Sequence, residues 1–256
     1  MATVADILKF VETLAPRDLK MDWDNVGLNC GRTNRPVTKI LVALDPFTHV
    51  CREAKEIGAD LLVTHHALIW KPGFITDRDV QGRNTLFLIE NGIARINAHT
   101  NLDQAPGGVN DVLAAKLGLE NIGIVNPVNG IGLMRCGEVS EQPLAQFLAT
   151  VKENLRCDGL RYVDSGKPVR KVAVGGGSCA GGMAEVLATG CDTFVTADCK
   201  YNQFWDARDL GLNLIDAGHF HTENPVVAVL AEKIAAAFPE IEVRISETHW
   251  DCAKYY

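Results

Sequence analysis

The sequence has no run of lysine and arginine, no Cys-x-x-Cys pair and no apolar stretch close to the roughly 18 residues that a membrane span needs. The formal net charge of -7 would repel a phosphate backbone, so we do not expect nucleic-acid binding. The eight cysteines lack the spacing of a zinc ribbon or a disulfide framework, and we expect most of them to be small core residues. These absences favour a globular protein that acts on neither a membrane nor a nucleic acid.

The chain starts at Met1 without a basic segment followed by an apolar one, which is the pattern of a secretory signal. We therefore expect a cytoplasmic protein. The 256 residues are 47% hydrophobic and 22% charged, as in ordinary globular proteins. They are enough for one large core or two ordinary ones.

Two segments of the chain repeat the same pattern 132 residues apart. In the first, KILVALD starts at Lys39 and GADLLVT ends at Thr64; in the second, KVAVGGG starts at Lys171 and GCDTFVT ends at Thr196. A helical stretch separates the two strand-like runs of each segment, and a third strand-like run follows each pair. Alternating strands and helices indicate mixed, largely parallel sheets covered by helices. The sequence therefore predicts two related α/β halves.

The boundary between the halves is predicted in the turn-rich segment NPVNG, residues 126–130. This gives a first half over residues 1–125 and a second half over residues 126–256. The last strand-like run, residues 241–245, can pair with either half, so residues 241–256 either pack back on the first half or stay with the second. The sequence leaves this choice open.

Histidines concentrate where the predicted strands end. Five of the seven lie in three short segments, namely His65 with His66, His99, and His219 with His221. Ligands of open α/β sheets gather at the carboxyl ends of the strands. Three clusters at equivalent positions therefore favour a functional site over packing.

The residue types in these clusters indicate metal binding. Imidazoles and carboxylates without thiolates suit Zn²⁺, Mn²⁺, Fe²⁺, Co²⁺ or Ni²⁺. Adjacent strand residues point to opposite faces, so His65 and His66 either follow the end of the strand or serve two ions. Asp103 and Glu223 each follow a histidine by four positions, and such carboxylates can bridge two ions. Two ions would activate water for hydrolysis near neutral pH.

Five motifs, in order, resemble those of one family: WDNVGL from Trp23, THHALIW from Thr64, AHTNLD from Ala98, TADCKY from Thr196 and DAGHFHTE from Asp216. Together they resemble the dinuclear-metal proteins related to the yeast Ngg-interacting factor. Bacterial members are commonly labelled GTP cyclohydrolase I type 2 homologues. The resemblance covers nearly the whole chain.

The resemblance implies two interlinked α/β domains with a metal site at the strand carboxyl ends between them, in a toroidal homohexamer. The metal ligands that it implies are His65, His66, Asp103, His219 and Glu223. His99 is expected either to orient a ligand or to face the substrate.

The function predicted is the binding of two divalent ions per chain and the metal-dependent hydrolysis of a small nucleotide- or pterin-like substrate. The reaction is of the cyclohydrolase or the phosphohydrolase type. The alternative is a non-catalytic metal-binding scaffold, chaperone or regulatory protein, because fold and site chemistry do not fix a reaction.

Three features keep open roles. Members of the family often carry a histidine where this chain has Asn202. Asp198 stands where the repeat places His66, so it either lines the site or belongs to a solvated turn. The glycine-rich run at 175–182 is a candidate phosphate cradle, although it lacks the Lys-Ser/Thr of a P-loop.

Overall fold

A computed structural model gives the structure of residues 1–70 and 73–255. The first part of the chain alternates strands and helices, as predicted. A capping box between Thr3 and Asp6 starts the first helix. The elements are α1 (Val4–Leu14), β1 (Gly27–Cys30), β2 (Lys39–Ala43), α2 (Thr48–Glu56), β3 (Leu61–Thr64), α3 (Val80–Glu90), β4 (Ala94–Asn97) and α4 (Thr100–Gln104).

The second part repeats this alternation and adds further strands. Its elements are α5 (Val109–Lys116), β5 (Glu120–Ile124), β6 (Arg135–Gln142), α6 (Leu144–Leu155), β7 (Arg161–Val163), β8 (Val169–Val174), α7 (Met183–Ala188), β9 (Thr193–Thr196), α8 (Tyr201–Leu210), β10 (Asn213–Asp216) and α9 (His219–Glu223). The last elements are α10 (Pro225–Ala237) and β11 (Glu242–Ile245). Among the described residues, no helix is both long and apolar enough to cross a membrane.

The strands form two mixed sheets. The first has the order β1-β4-β3-β2-β11, in which only β1 runs antiparallel to its neighbour. The second has the order β5-β6-β8-β9-β10-β7, with β8, β9 and β10 parallel and three antiparallel pairings around them. The prediction of two related α/β halves with mixed sheets is confirmed, although parallel pairing predominates only in the first sheet.

The sequence repeat is also a repeat of contacts. The carboxylate of Asp60 accepts a hydrogen bond from the backbone N–H of Lys39 at 3.3 Å, and that of Asp192 accepts one from the N–H of Lys171 at 2.8 Å. The ammonium of each lysine donates to the C-cap carbonyl of the helix that follows its strand. The matched Gly-x-Asp sequences therefore join the starts of two neighbouring parallel strands in each sheet.

The central strands are buried on both faces. All four residues of β3 and all four of β9 are buried, which explains why these runs are continuously apolar. In the first sheet, Leu62 belongs to one core cluster with Val50 of α2 and Leu88 of α3. In the second, Val195 shares a cluster with Phe147 of α6. Burying each such side chain contributes about 1.5–3 kcal/mol, so the strands are rigid supports for the residues that follow them.

The chain forms two compact units, one of residues 1–105 and 227–250 and the other of residues 106–226 and 251–256. This division differs from the predicted boundary at residues 125 and 126. The segment NPVNG is the hairpin loop between the antiparallel strands β5 and β6, and Asn126, Asn129 and Gly130 adopt positive φ there. A hairpin loop and a linker use the same turn residues, so the pattern alone does not separate them.

The last strand joins the first sheet. β11 pairs in parallel with β2, with Glu242 opposite Lys39 and Ile245 opposite Val42. Ser246 continues this ladder, because its N–H donates to the carbonyl of Val42 at 2.8 Å. The added strand covers the edge that β2 would otherwise leave exposed.

Candidate metal centre

The histidine pair that follows β3 lies outside the strand. β3 ends at Thr64, and the chain bends at His65 and His66, whose ring centroids are 4.9 Å apart. Their rings lie 5.1 and 5.5 Å from the ring of His99, respectively. Because the strand has ended, its alternation of side chains no longer applies, and both imidazoles reach the same neighbour.

The imidazole of His65 is buried and held from behind. Its Nδ1–H donates to the carbonyl of Ala98 at 2.8 Å, which places the lone pair on Nε2. Nε2 lies 3.5 Å from Oδ1 of Asp103 on α4. The structure therefore brings the donor atoms of these two predicted ligands together.

The imidazole of His66 is held by a carboxylate. Its Nδ1–H donates to Oδ1 of Asp45 at 2.6 Å. Burial alone would raise the pKa of Asp45, but His249 and His66 hold it well below its ordinary value, so Asp45 is an ionised acceptor. Arg95, fully buried on β4, donates to the backbone carbonyl of His66 and to the hydroxyl of Thr64. These contacts fix both the ring and the backbone of His66.

The imidazole of His99 completes a group of three. Its Nδ1–H donates to Oδ2 of Asp24 at 2.9 Å, and the backbone N–H of Thr100 donates to the same oxygen at 3.0 Å. Burial alone would raise the pKa of Asp24, but these contacts hold it well below its ordinary value. One ring nitrogen from each of His65, His66 and His99 lies within 4.8 Å of the other two. This spacing allows the three imidazoles to hold a metal ion.

Two further predicted ligands lie one turn apart on α9, in the second unit. Nε2 of His219 is 3.0 Å from Oε2 of Glu223. Nδ1–H of His219 donates to Oδ2 of Asp198 at 2.7 Å. Asp198 adopts a φ of 51°, a left-handed conformation that aspartate tolerates better than most residues. Asp198 therefore contacts a predicted ligand, which favours the first of its two open roles.

The glycine-rich run shapes this second group of donors. The N–H groups of Gly175, Gly176 and Gly177 bind acceptors within the same unit at 2.7 to 3.0 Å, so they do not support a phosphate cradle. Gly177 has a φ of 61°, and a side-chain carbon there would lie 2.2 Å from Oε1 of Glu223 and 3.0 Å from Nε2 of His219. The run provides space for the donors rather than binding groups.

Other residues singled out in the sequence have different contacts. Nδ1–H of His221 donates to a backbone carbonyl at 3.2 Å, and its Nε2 lies 3.5 Å from Asp251. Asn202 is exposed on α8 and donates to Asp206 at 3.3 Å. Burial raises the pKa of Cys199 to about 12, so this thiol is neutral and weakly nucleophilic.

Two tryptophans lie beside His99. The ring centroids of Trp23 and Trp70 are 6.0 and 5.0 Å from that of His99 and 6.4 Å from each other. Trp23 is 62% and Trp70 41% exposed, so the indoles present aromatic surface to solvent next to the three imidazoles.

The donor set fits a divalent transition metal. His65, His66, His99 and His219 each donate Nδ1–H to a carbonyl or carboxylate oxygen, which places the lone pair of every ring on Nε2. Metal-ligating histidines are typically oriented in this way. These nitrogens, with the carboxylate of Asp103 in the first unit and that of Glu223 in the second, are ligand types that suit Zn²⁺, Fe²⁺, Mn²⁺, Co²⁺ or Ni²⁺.

The carboxylates that orient the histidines of the first unit, Asp24 and Asp45, are not among the residues predicted from the sequence. Asp45 lies two residues after the strand KILVA, so the rule that drew attention to the histidines at strand ends would also have found it. Asp24 lies within the motif WDNVGL, where no local pattern indicates a contact with His99. In the same motif, Asn25 donates to the carbonyl of Ile69 at 2.6 Å and so ties this turn to the segment after His66.

Comparison with known proteins agrees with the motifs. The family model of Duf34/NIF3 (NGG1p interacting factor 3) matches residues 2–251. A Clostridium perfringens protein named GTP cyclohydrolase 1 type 2 homolog is 39% identical over 236 residues, covering 90% of each chain. A Clostridium acetobutylicum protein of the same name is 33% identical over 263 residues, covering 98% of each. The crystal structure of a Bacillus cereus protein related to NIF3 matches with a TM-score of 0.94 at 25% identity, covering 100% of this chain and 99% of that one. The chain belongs to the Duf34/NIF3 family.

Proposed function

We propose that the protein binds two divalent metal ions per chain and is a metal-dependent hydrolase of a small nucleotide- or pterin-like molecule. The proposed metal ligands are His65, His66, Asp103, His219 and Glu223. The assignment of these five residues to two ions follows the family resemblance. His99 is proposed to face the substrate.

One observation carries the metal-binding part of the proposal. Four histidines donate Nδ1–H to an oxygen acceptor. Three of them, in the first unit, each have one ring nitrogen within 4.8 Å of a ring nitrogen of the other two. Core histidines can satisfy Nδ1 in this way one at a time. Three such rings close together are typical of a metal site, in which His65 and His66 would hold the ion and His99 would face the substrate beside it. Two divalent ions would supply Lewis-acid chemistry and would lower the pKa of a bound water molecule toward neutral pH.

The aromatic surface beside His99 supports a substrate with a planar ring. Exposed indoles bind such rings by stacking, which contributes about 1–3 kcal/mol per base where it has been measured for nucleic-acid bases. The relatives named GTP cyclohydrolase 1 type 2 homolog point to the same class of molecule. The ring of His99 has both indoles and the imidazoles of His65 and His66 as neighbours, which supports a role for His99 in contacting such a ring.

Metal content is the first test. Elemental analysis of reconstituted protein should find close to two ions per chain, and the His66→Ala variant should lose metal while keeping its fold, because the apolar strand before it is unchanged. His221→Ala is the matched control, since this histidine lies on α9 next to the proposed ligands and should leave the metal content unchanged. A parent protein that takes up one ion or none would contradict the proposal.

Turnover is the second test. Metal-loaded protein should convert GTP or a related nucleotide or pterin, and His66→Ala should not. The His99→Ala variant should keep its metal and lose turnover. Trp70→Leu should weaken the binding of these ligands, whereas Trp205→Leu, at an exposed tryptophan of α8, should not. Full metal content without turnover of any of them would favour the non-catalytic metal-binding scaffold.

Assembly is the third test. The proposal includes a toroidal homohexamer that acts on a small molecule, since closed symmetry is the usual form of homo-oligomers. Light scattering should give a particle of six chains. A monomer at micromolar concentration would rule out the ring.

A further inference from the structure

The segment after β11 is anchored on a buried carboxylate. Oε1 of Glu53 on α2 accepts the N–H of Glu247 at 2.9 Å. Oε2 accepts the hydroxyl of Ser246 at 2.5 Å and that of Thr248 at 2.6 Å. Residues 246–248 are therefore tied to the body of the first unit rather than hanging from its last strand.

This anchor brings a histidine to the carboxylate behind a proposed metal ligand. β11 runs parallel to β2, so residues 246–249 advance alongside the residues that lead to Asp45. The side chain of His249 is 3% exposed, and its Nε2 lies 3.1 Å from Oδ2 of Asp45. The other oxygen, Oδ1, accepts Nδ1–H of His66 at 2.6 Å. One partly buried carboxylate thus joins His249 to His66.

We infer that His249 is a positioning residue for the metal ligand His66 and acts through Asp45. The inference rests on the proposed function in that it treats His66 as a ligand. Nothing in the sequence around His249 indicates this role, because it depends on the pairing of β11 with β2.

The two histidine contacts restrict rotation of the Asp45 carboxylate. Asp45 has one oxygen against His66 and the other against His249, so turning about its Cβ–Cγ bond would break both contacts. Without His249, the second oxygen loses this contact, and the carboxylate that holds Nδ1–H of His66 can turn more freely. Residues that orient a ligand typically change metal affinity by about 10–100-fold. We expect about 3–10-fold for His249, since it acts one step further from the ligand.

Zn²⁺ affinity, measured by chelator competition, tests this role. His249→Leu should lower the affinity by about 3–10-fold, whereas His249→Gln should restore it, because the amide nitrogen of glutamine can occupy the place of Nε2. His49→Leu is the matched control: this histidine stacks on His249 with ring centroids 6.1 Å apart, and it acts on the ring rather than on the carboxylate. Equal affinity in the parent and in His249→Leu would overturn the inference, as would equal losses in the leucine and glutamine variants.

A readout without metal separates this inference from the proposed function. Imidazole ¹⁵N chemical shifts of the metal-free protein report which nitrogen of His66 carries the proton. The Nδ1–H form should predominate in the parent and in His249→Gln, and a mixture of tautomers should appear in His249→Leu. If no variant binds Zn²⁺ but the tautomer changes as described, the proposed function fails and the positioning by His249 stands. An unchanged tautomer in His249→Leu would refute the positioning whatever the metal result.

Discussion

The replacement of Gly177 by alanine tests whether the glycine-rich run exists to make room for the donors of the second unit. The new Cβ would lie 2.2 Å from Oε1 of Glu223. The oxygen would have to move by about 1 Å to reach an ordinary van der Waals distance. Metal–ligand distances hold to about 0.2 Å in a working site. A displacement of this size removes the carboxylate from any geometry that suits an ion.

The substitution also has a cost that is unrelated to metal. Gly177 has a φ of 61°, and an L-residue in the left-handed region costs about 1–2 kcal/mol. For a protein of this size we expect the melting temperature to fall by about 2–8 °C. This backbone effect has to be separated from the steric effect on Glu223.

Gly190 is the matched control. It lies in the same unit with a φ of 78°, and no atom lies within 4 Å of a carbon added there. Without metal, Gly190→Ala should therefore lose thermal stability through the backbone effect alone, and Gly177→Ala should lose at least as much. Only Gly177→Ala should lose metal affinity, by at least about 10-fold in chelator competition. If both variants bind Zn²⁺ as tightly as the parent, the close approach of Gly177 to Glu223 has no bearing on metal binding.

Three further predictions concern the first unit and the thiols. Burial, which alone would raise the pKa of Glu53, is outweighed by the hydrogen bonds from residues 246 and 248, so its folded pKa is lowered. The stability that this carboxylate contributes is complete above its unfolded pKa of about 4.3 and is lost as the pH falls through the lowered folded pKa. Melting temperatures measured from about pH 6 to pH 3 should therefore fall more steeply for the parent than for Glu53→Gln. Equal slopes for the two proteins would contradict this. Burial raises the pKa of Cys51 and of Cys157 to about 12, so iodoacetamide near neutral pH should label exposed Cys252 first, as mass spectrometry would show; equally fast labelling of all three would refute their burial. Arg95→Lys should lower the free energy of unfolding by about 1–3 kcal/mol, because one ammonium cannot replace a guanidinium that donates to three acceptors; unchanged urea denaturation would show that these bonds are dispensable.

The fold was predictable where the signal is local or repeated. The runs ending at Thr64 and Thr196 are continuously apolar because central parallel strands are buried on both faces. The repeated Gly-x-Asp sequence can be recognised from the sequence alone, without knowledge of its contacts. In the structure, Asp60 and Asp192 hold the starts of the neighbouring strands, so this part of the repeat is preserved by a contact that needs the carboxylate.

The predictions were less complete where a distant segment decides the outcome. Residues 126–130 carry turn signals that serve a hairpin loop as well as a linker, so the unit boundary was placed twenty residues away from Pro106. The pairing of β11 depends on which sheet edge is uncovered, and a strand pattern does not contain that information. The contact of His249 with Asp45 depends in turn on that pairing. Local reasoning could reach residues within three positions after a strand, such as His65, His66 and Asp45.

The two units show how one scaffold supports different donors. Position 45 is an aspartate that holds His66, and the equivalent position 132 residues later is Gly177, which leaves space for Glu223. His66 is likewise replaced by Asp198, which holds His219. These positions lie two or three residues beyond the end of a core strand, so they can change without altering the ladder or the buried side chains before them. The same register of strands therefore presents a histidine held by an aspartate at one strand end, and a glycine beside a glutamate at the corresponding end of the other unit.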